Sequence, residues 1–469
     1  MLSLYGPESQ KGESLQRREM LKIGGLGLTG LGLPQLLDGN HGKLLADSPS
    51  AKQQSSFGKA KNCIILFQSG GAAQMDTYDP KPNAPDDIRG TFNPISTAVP
   101  GIQVCDSVPL TAKILDRGVI VRSVTHPRPD HASGGYAMFT GYEYEGTAGQ
   151  ANFMARSDHP HVGAAIAKMA PGSGPMVPWA IIPRRLDAGS GRRAGQWGGR
   201  LGSKYDPLQP GGDPNEDGFK LDHLPLVANR DPRVFTRRRK LIDQINSQVE
   251  YLDKTSDAQA LAAGQKKAID VLSSDAVRRA VDLSSEDSKL REAYGRNLFG
   301  QSVLLGRRFL QAGSRVIQCS WLRTQGEEGY AWDSHWNNLK SLRNDLCPPF
   351  DQALYALIND LEETGELEET LVVVTGEFGR TPRINKDAGR DHWSNVFSLC
   401  MFGAGINHGQ VYGASDGIAG YPAADPVTPA DITATIYHCL GIDPHSEMLD
   451  QNERPMRLSE GHIISDILS

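Results

Sequence analysis

Side chains that bind cations or carry protons fall in five short clusters of this sequence. The clusters contain motifs such as Asp-Thr-Tyr-Asp-Pro, Trp-Asp-Ser-His and Gly-Arg-Asp-His-Trp. Carboxylates mixed with imidazoles, without thiolates, suit Zn²⁺, Mn²⁺ or Mg²⁺ better than a structural cysteine-type zinc site. The candidate metal ligands are Asp76, His131, Asp333, His335, Glu377 and His392.

These ligands predict a centre of one or two divalent ions, with Zn, Mn, Mg and Ca as the candidates. Two ions about 4 Å apart can hold both the attacking and the leaving oxygen of an ester displacement. Arg380, with Arg383 close behind it, is the candidate catalytic residue for binding the oxyanion, because a guanidinium forks onto such a group.

The elements that must position the clusters are apolar runs of strand length separated by helical patterns. A strand directly precedes four of the clusters, and the fifth cluster precedes a strand. This alternation predicts an α/β fold with a doubly wound, mostly parallel sheet, whose sites lie beyond the carboxyl ends of the strands. The predicted strands are Cys63–Phe67, Val119–Val124, Trp179–Pro183, Val316–Trp321, Leu371–Thr375 and Val396–Phe402.

Apolar residues recur at helical spacing in two further segments. One is marked by Leu346, Phe350, Leu354, Leu357 and Leu361, and the other by Leu241, Ile245, Val249 and Leu252.

Each cluster also has a structural interpretation. An Asp after a strand is most often a helix N-cap, a His beside Trp can be a hydrogen-bonded core residue, and Glu377 can pair with Arg380. Because clusters of Asp, Glu and His occur at five strand ends, a shared metal or anion site is favoured over a separate structural explanation for each cluster.

The N-terminal stretch predicts an export signal. Arg17-Arg18 precedes a weakly hydrophobic run that is broken by glycines and Pro34. This pattern is typical of a twin-arginine leader, which predicts the twin-arginine export machinery as a partner and a periplasmic or secreted location. A membrane anchor and a chance Arg-Arg pair are the alternatives. The run is short for a stable membrane span.

The rest of the chain is predicted to form one domain. We assign 1–47 to the leader, 48–60 to a polar linker and 61–469 to a single α/β domain. Within that domain, 184–312 is rich in loop residues and then helical, which predicts an insertion that caps the sheet.

Composition excludes several classes of protein. Hydrophobic residues make up 39% of the 469 residues, enough for a large core, so wholesale disorder is excluded. The net charge of −6 argues against nucleic acid as a partner, because phosphate binding needs an excess of Lys and Arg. The six cysteines permit disulfides in an exported chain, but Cys63, Cys319, Cys400 and Cys439 lie in apolar runs and favour buried thiols.

The motifs resemble those of the secreted bacterial "domain of unknown function" family numbered 1501, from the leader to the C-terminus. The resemblance rests on the clusters above and on Gly295-Arg-Asn-Leu-Phe-Gly-Gln, Gly376-Glu-Phe-Gly-Arg-Thr-Pro and Thr428-Pro-Ala-Asp-Ile-Thr-Ala-Thr. That family is distantly similar to the alkaline phosphatase and sulfatase superfamily. The resemblance implies an alkaline-phosphatase-like fold, in which Asp76 matches the first metal Asp and His392 a late metal His.

Three positions depart from the superfamily pattern. Glu377-Phe378 replaces an Asp-His pair, Asp333 and His335 are closer than usual, and His131 stands where phosphatases carry a nucleophilic Ser. His131 is therefore a candidate catalytic residue as a nucleophile, or a metal ligand that compensates for Phe378. In a third alternative, metal-bound water attacks and no covalent step occurs.

The sequence thus predicts an exported, metal-dependent hydrolase of phosphate or sulfate esters. Its substrate would be a small anionic ester or a sulfated or phosphorylated glycan. The alternative is a non-catalytic exported protein that keeps the fold and binds a metal or another ligand.

Overall fold

A seven-stranded sheet forms the centre of the computed structural model, which describes residues 55–172, 174–188, 191–219, 221, 274–322 and 331–469. The spatial order of its strands is β7-β2-β6-β5-β1-β4-β3. The strands are β1 (Asn62–Phe67), β2 (Gly118–Val124), β3 (Trp179–Ile182), β4 (Val316–Ser320), β5 (Thr370–Thr375), β6 (Phe397–Gly403) and β7 (Gln410–Tyr412).

Strand β6 is antiparallel to both of its neighbours, and the other pairings of this sheet are parallel. The predicted mostly parallel sheet is therefore confirmed, whereas the sequence patterns indicated neither the direction of β6 nor the short strand β7. Because β6 starts at the edge where its neighbours end, the segment that precedes it reaches the same edge as the loops after β1, β2, β4 and β5.

Helices cover both faces of the sheet. Residues of β1 alternate between two apolar clusters, with Ile64 and Leu66 in one and Cys63, Ile65 and Phe67 in the other. The helices of eight or more residues among those described are α1 (His131–Thr140), α2 (Val162–Met169), α3 (Leu298–Gln311), α4 (Cys347–Glu363) and α5 (Pro429–Cys439). Helices α3 and α4 pack in the first cluster and α1, α2 and α5 in the second, which makes the sheet doubly wound.

Short elements complete the described part of the chain. The short α-helices are Asp86–Arg89, Thr111–Ile114, Ala148–Ala151, Asp275–Val281, Ser288–Tyr294 and Asn338–Ser341. The two-stranded ladders are Pro94–Ser96 with Gln103–Cys105, Asp187–Ala188 with Gly191–Arg192, Gly379–Arg380 with His392–Trp393, Ala414–Ser415 with Pro422–Ala424, and Glu447–Leu449 with Pro455–Arg457.

Some sequence predictions fall outside the described residues. These are the leader, most of the linker, and the helical pattern of Leu241, Ile245, Val249 and Leu252 within the insertion, so they stay predictions. The pattern from Leu346 to Leu361 is confirmed as α4 and the turn that leads into it. All six cysteines are buried free thiols. Among the described residues, no helix is long and apolar enough to span a membrane.

A close approach of two loops fixes the edge of the sheet at the end of β1. Gly70 has a φ of +112°, and a Cβ atom there would lie 2.2 Å from the backbone nitrogen of Asp333. Its neighbour Gly71 has a φ of +89°, and a Cβ would lie 2.4 Å from the carbonyl oxygen of Phe378. Only glycine fits both the conformation and the space. The loops after β1, β4 and β5 therefore share one tightly packed junction.

We expect Gly70→Ala to lower the free energy of unfolding by at least about 2 kcal/mol more than Gly101→Ala. Gly101 also has a positive φ, of +84°, but no atom lies within 4 Å of the added Cβ. The control thus carries the backbone strain of about 1 kcal/mol, and Gly70→Ala adds the clash with Asp333. Urea unfolding of both variants measures the difference, and equal losses would contradict the close approach.

Candidate metal centre

His131 is the first residue of helix α1 and lies at the carboxyl edge of the sheet. The helix starts there because Asp130 caps it, with Oδ1 accepting a hydrogen bond from the Ser133 backbone nitrogen at 2.9 Å. The imidazole lies between two carboxylates. Its Nδ1 is 2.7 Å from Oε1 of Glu377, and its Nε2 is 3.0 Å from Oδ2 of Asp333.

Glu377 lies behind His131, away from solvent. Its side chain is fully buried after β5, and Oε1 also accepts a hydrogen bond from the Gly70 backbone nitrogen at 2.8 Å. Because Oε1 is occupied by these two donors, Glu377 orients His131 instead of ligating an ion through that atom. The predicted ligand is thus a supporting residue of the same site.

His335 and His392 complete the group from two other loops. Nδ1 of His335 is 2.7 Å from Oδ1 of Asp391, and Nδ1 of His392 is 2.9 Å from the carbonyl oxygen of Pro129. The two Nε2 atoms lie 3.0 Å apart, and each is 3.1 Å from Oδ1 of Asp333. Both rings therefore present Nε2 to the same carboxylate as His131.

The three imidazoles share one hydrogen-bonding pattern. In each ring Nδ1 faces an oxygen acceptor, which assigns the Nδ1 proton and leaves Nε2 for another partner. All three Nε2 atoms converge on Asp333. We call His131, Asp333, His335 and His392 the histidine cluster.

The histidine cluster fits a divalent cation. The ligand atoms of His131, Asp333 and His392 lie within 4.8 Å of one another. Around a tetrahedral ion with bonds of about 2.1 Å, ligand atoms lie about 3.4 Å apart, close to the observed spacings. Two imidazole Nε2 atoms and a carboxylate oxygen lie 3.0–3.1 Å from one another, so their lone pairs repel unless a proton or a cation lies between them. A positive charge at this point removes that repulsion.

The electrostatics of the cluster favour charged forms. Burial opposes ionisation of Asp333, but hydrogen bonds from His131 and His392 and the charge of Arg380 hold its pKa far below the usual range. Burial lowers the pKa of His131, but hydrogen bonds to Asp333 and Glu377 outweigh burial and raise it to about 9. In the metal-free protein a proton thus occupies Nε2 of His131, and a cation bound there would take its place.

Arg380 does not face the space where a substrate would lie. Its side chain is fully buried, and Nη2 donates to Oδ1 of Asp333 at 2.6 Å. The guanidinium also donates to the carbonyl oxygens of Gly70, Gly71 and Arg390. The expectation that Arg380 holds the substrate anion is therefore corrected, because its donors are occupied in positioning Asp333.

Asp76 lies outside the histidine cluster. It is fully buried, and Oδ2 and Oδ1 accept from Nε and Nη2 of Arg390 at 2.7 and 2.9 Å. Asn338 donates to Oδ2 at 2.7 Å. The structure thus does not bring Asp76 to the other predicted ligands, because a guanidinium already neutralises it. Removing one partner of such a buried pair costs about 3–5 kcal/mol, so we expect the loss of Asp76 or Arg390 to lower stability.

The family of this chain follows from a match over most of its length. A family model described as "Protein of unknown function (DUF1501)" matches residues 60–468. The chain belongs to this family. No curated protein matches the chain.

Several solved structures are similar to this DUF1501 chain. The PsFucS1 sulfatase from Pseudoalteromonas sp. has 13% identity and a TM-score of 0.40, covering 90% of this chain and 76% of its own. The phosphonate monoester hydrolase SpPMH from Silicibacter pomeroyi has 12% identity and a TM-score of 0.37, covering 86% and 75%. The phosphonate monoester hydrolase of Agrobacterium radiobacter has 12% identity and a TM-score of 0.37, covering 87% and 77%.

Sequence reasoning missed the groups that orient the imidazoles. Asp391 stands next to His392 in the Gly-Arg-Asp-His motif, so its position could have suggested a supporting carboxylate. The carbonyl of Pro129 and the backbone nitrogen of Gly70 leave no signal in side-chain patterns, because every residue carries such groups. Their roles depend on which loops meet at the sheet edge.

We expect Asp391→Asn to weaken Zn²⁺ binding by about 10–100-fold, because the carboxylate that holds the Nδ1 proton of His335 is replaced by a weaker acceptor. Asp387→Asn is the matched control, since this exposed aspartate belongs to the same loop. Competition with a chromophoric chelator measures both affinities. Equal affinities for the two variants would contradict the role given to Asp391.

Proposed function

We propose that this chain is a metal-dependent hydrolase of phosphate or sulfate esters. The observation that carries the proposal is the convergence of three imidazole Nε2 atoms on the carboxylate of Asp333. His131, Asp333 and His392 supply three ligand atoms within 4.8 Å of one another, which leaves a position for water on a tetrahedral ion. Imidazole ligands suit a transition-metal ion such as Zn²⁺, whereas Mg²⁺ and Ca²⁺ prefer oxygen ligands alone. The substrate class, a small anionic ester or a sulfated or phosphorylated glycan, stays part of the proposal.

The solvent exposure of the histidine cluster supports catalysis there. The side chains of the histidine cluster are 16–33% exposed, so solvent and a substrate can reach the converging atoms. Behind them Glu377 and Arg380 are fully buried, and they hold the ligands from the protein side. The site is thus rigid on one side and open on the other, as a catalytic metal centre requires.

The cation and the side chains of this chain would contribute different parts of the hydrolysis. When bound, a divalent cation acidifies a water molecule to a pKa of about 7 and polarises the ester oxygens. His131 and His392 would bind the cation through Nε2, and His335 lies against His392 and Asp333. Glu377, Asp391 and the Pro129 carbonyl hold the Nδ1 protons of the three rings. Arg380 orients Asp333.

The role of His131 follows from its contacts. Glu377 holds Nδ1, so only Nε2 is free to act, and Nε2 points to Asp333 with the other imidazoles. This geometry favours a ligand over a nucleophile. Among the described residues, no Ser, Thr or Cys forms a hydrogen bond with the three imidazoles, which favours attack by water without a covalent step. The same observation favours a second candidate function, a metal-binding protein without catalysis.

We expect the Zn²⁺-loaded protein to hydrolyse at least one of an aryl phosphate, an aryl phosphonate monoester and an aryl sulfate. Chelation should abolish turnover, and added Zn²⁺ should restore it. Absence of turnover with all three esters, in protein shown to hold zinc, would contradict the hydrolase and leave the binding protein.

His131→Ser should lose zinc together with at least about 100-fold in turnover, because one ligand is removed. His445→Ser is the control, since this histidine is exposed outside the cluster. Mass spectrometry of the native protein measures the metal, and the ester assay measures turnover. Full zinc content in His131→Ser, or a phosphohistidine trapped on the wild type, would contradict the ligand role.

A further inference from the structure

Arg380 is fully buried and pairs with Asp333, so a different basic side chain would have to bind the substrate anion. Arg383, its neighbour in sequence, is exposed and pairs with Asp87. Arg128 lies on the loop before α1, and its nearest carboxylate is Glu143, with Nη2 3.8 Å from Oε2. Among the described residues, neither guanidinium forms an ion pair with the histidine cluster.

Arg193 lies beside the histidine cluster with its donors unused. Its Nη1 is 3.9 Å from Oε1 of Glu377, the oxygen that accepts the Nδ1 proton of His131. Only 18% of the side chain is exposed, and Nε is buried without a hydrogen-bond partner. Within the described chain the Arg193 guanidinium forms no hydrogen bond. A guanidinium that is desolvated without compensating hydrogen bonds is costly, unless it meets a ligand.

The backbone around Arg193 is firmly anchored. The Ala194 nitrogen donates to the carbonyl oxygen of Ala151 at 2.9 Å. The fully buried Gln196 side chain bonds both the nitrogen and the oxygen of Leu186, at 2.7 and 2.8 Å. Gly195, with a φ of +79°, lies where a Cβ would be 3.1 Å from Tyr136 of helix α1. The fold thus holds this residue next to α1 before any ligand arrives.

A simple ion pair with Glu377 does not explain the arrangement. The separation of 3.9 Å is too long for a hydrogen bond, and Oε2 of Glu377 is buried without a partner. A structural pair would place a guanidinium N–H on that oxygen. Arg193 is therefore near Glu377 without satisfying it.

We propose that Arg193 binds the non-bridging oxygens of the substrate's phosphoryl or sulfuryl group, next to the cation site of the histidine cluster. This inference rests on the proposed function and names the residue that recognises its anionic substrate. A planar guanidinium matches two oxygens of a tetrahedral anion. The carboxylates of Asp333, Glu377 and Asp391 offset the positive charges of Arg380, Arg193 and protonated His131, so the bound cation supplies the excess positive charge that attracts an anion.

The test measures binding of inorganic phosphate and inorganic sulfate by calorimetry, so no turnover is needed. In the Zn²⁺-loaded protein, Arg193→Met should raise the Kd of the bound anion at least about 10-fold, and Arg193→Lys should recover part of the affinity. Arg184→Met is the matched control, because Arg184 belongs to the same segment but is half exposed and pairs with Asp187. The control should bind the anions like the wild type.

Zinc content and melting temperature distinguish anion binding from a structural role. Both should stay unchanged in Arg193→Met. An unchanged Kd, a fall in zinc content and melting temperature together with affinity, or a Zn²⁺-loaded wild type that binds neither anion would each overturn the proposal. Anion binding through Arg193 in a protein that hydrolyses no ester would instead contradict the hydrolase and retain the anion site.

Discussion

The structure of the site depends on one constraint, the fixing of three imidazole rings by the oxygen acceptors at their Nδ1 atoms. Glu377, Asp391 and the carbonyl of Pro129 lie at separate points of the chain, yet each faces Nδ1 of one ring and turns its Nε2 toward Asp333. If one acceptor were lost, its ring could flip or change tautomer, and the convergence would be lost with it. The loops are therefore organised by hydrogen bonds at Nδ1, on the side of each ring that does not face the ion site.

The sheet supplies the geometry that this constraint requires. The antiparallel strand β6 brings the loop of Asp391 and His392 to the edge where the other loops end. The glycines after β1 let the Asp333 backbone and the loop after β5 approach closely, and buried Arg380 joins these loops through hydrogen bonds. Fold and site are thus coupled through backbone contacts.

Much of this could be predicted from the sequence, because apolar runs and the polar clusters at their ends are local patterns. The six predicted strands formed, and five of the six predicted metal ligands lie in or directly behind one cluster. The exceptions depend on partners distant in sequence. Asp76 has the sequence position of a ligand, but it pairs with Arg390. Arg380 faces the protein interior, and Arg193 belongs to a segment without a recognisable motif.

Anomalous diffraction from crystals soaked with Zn²⁺ tests the central claim most directly, because it locates the ion without reference to any activity. We expect one strong peak per chain, about 2.0–2.2 Å from Nε2 of His131 and His392 and from an oxygen of Asp333, with His335 beside it. A strongest peak beside Asp76, or no peak among these imidazoles, would contradict this claim.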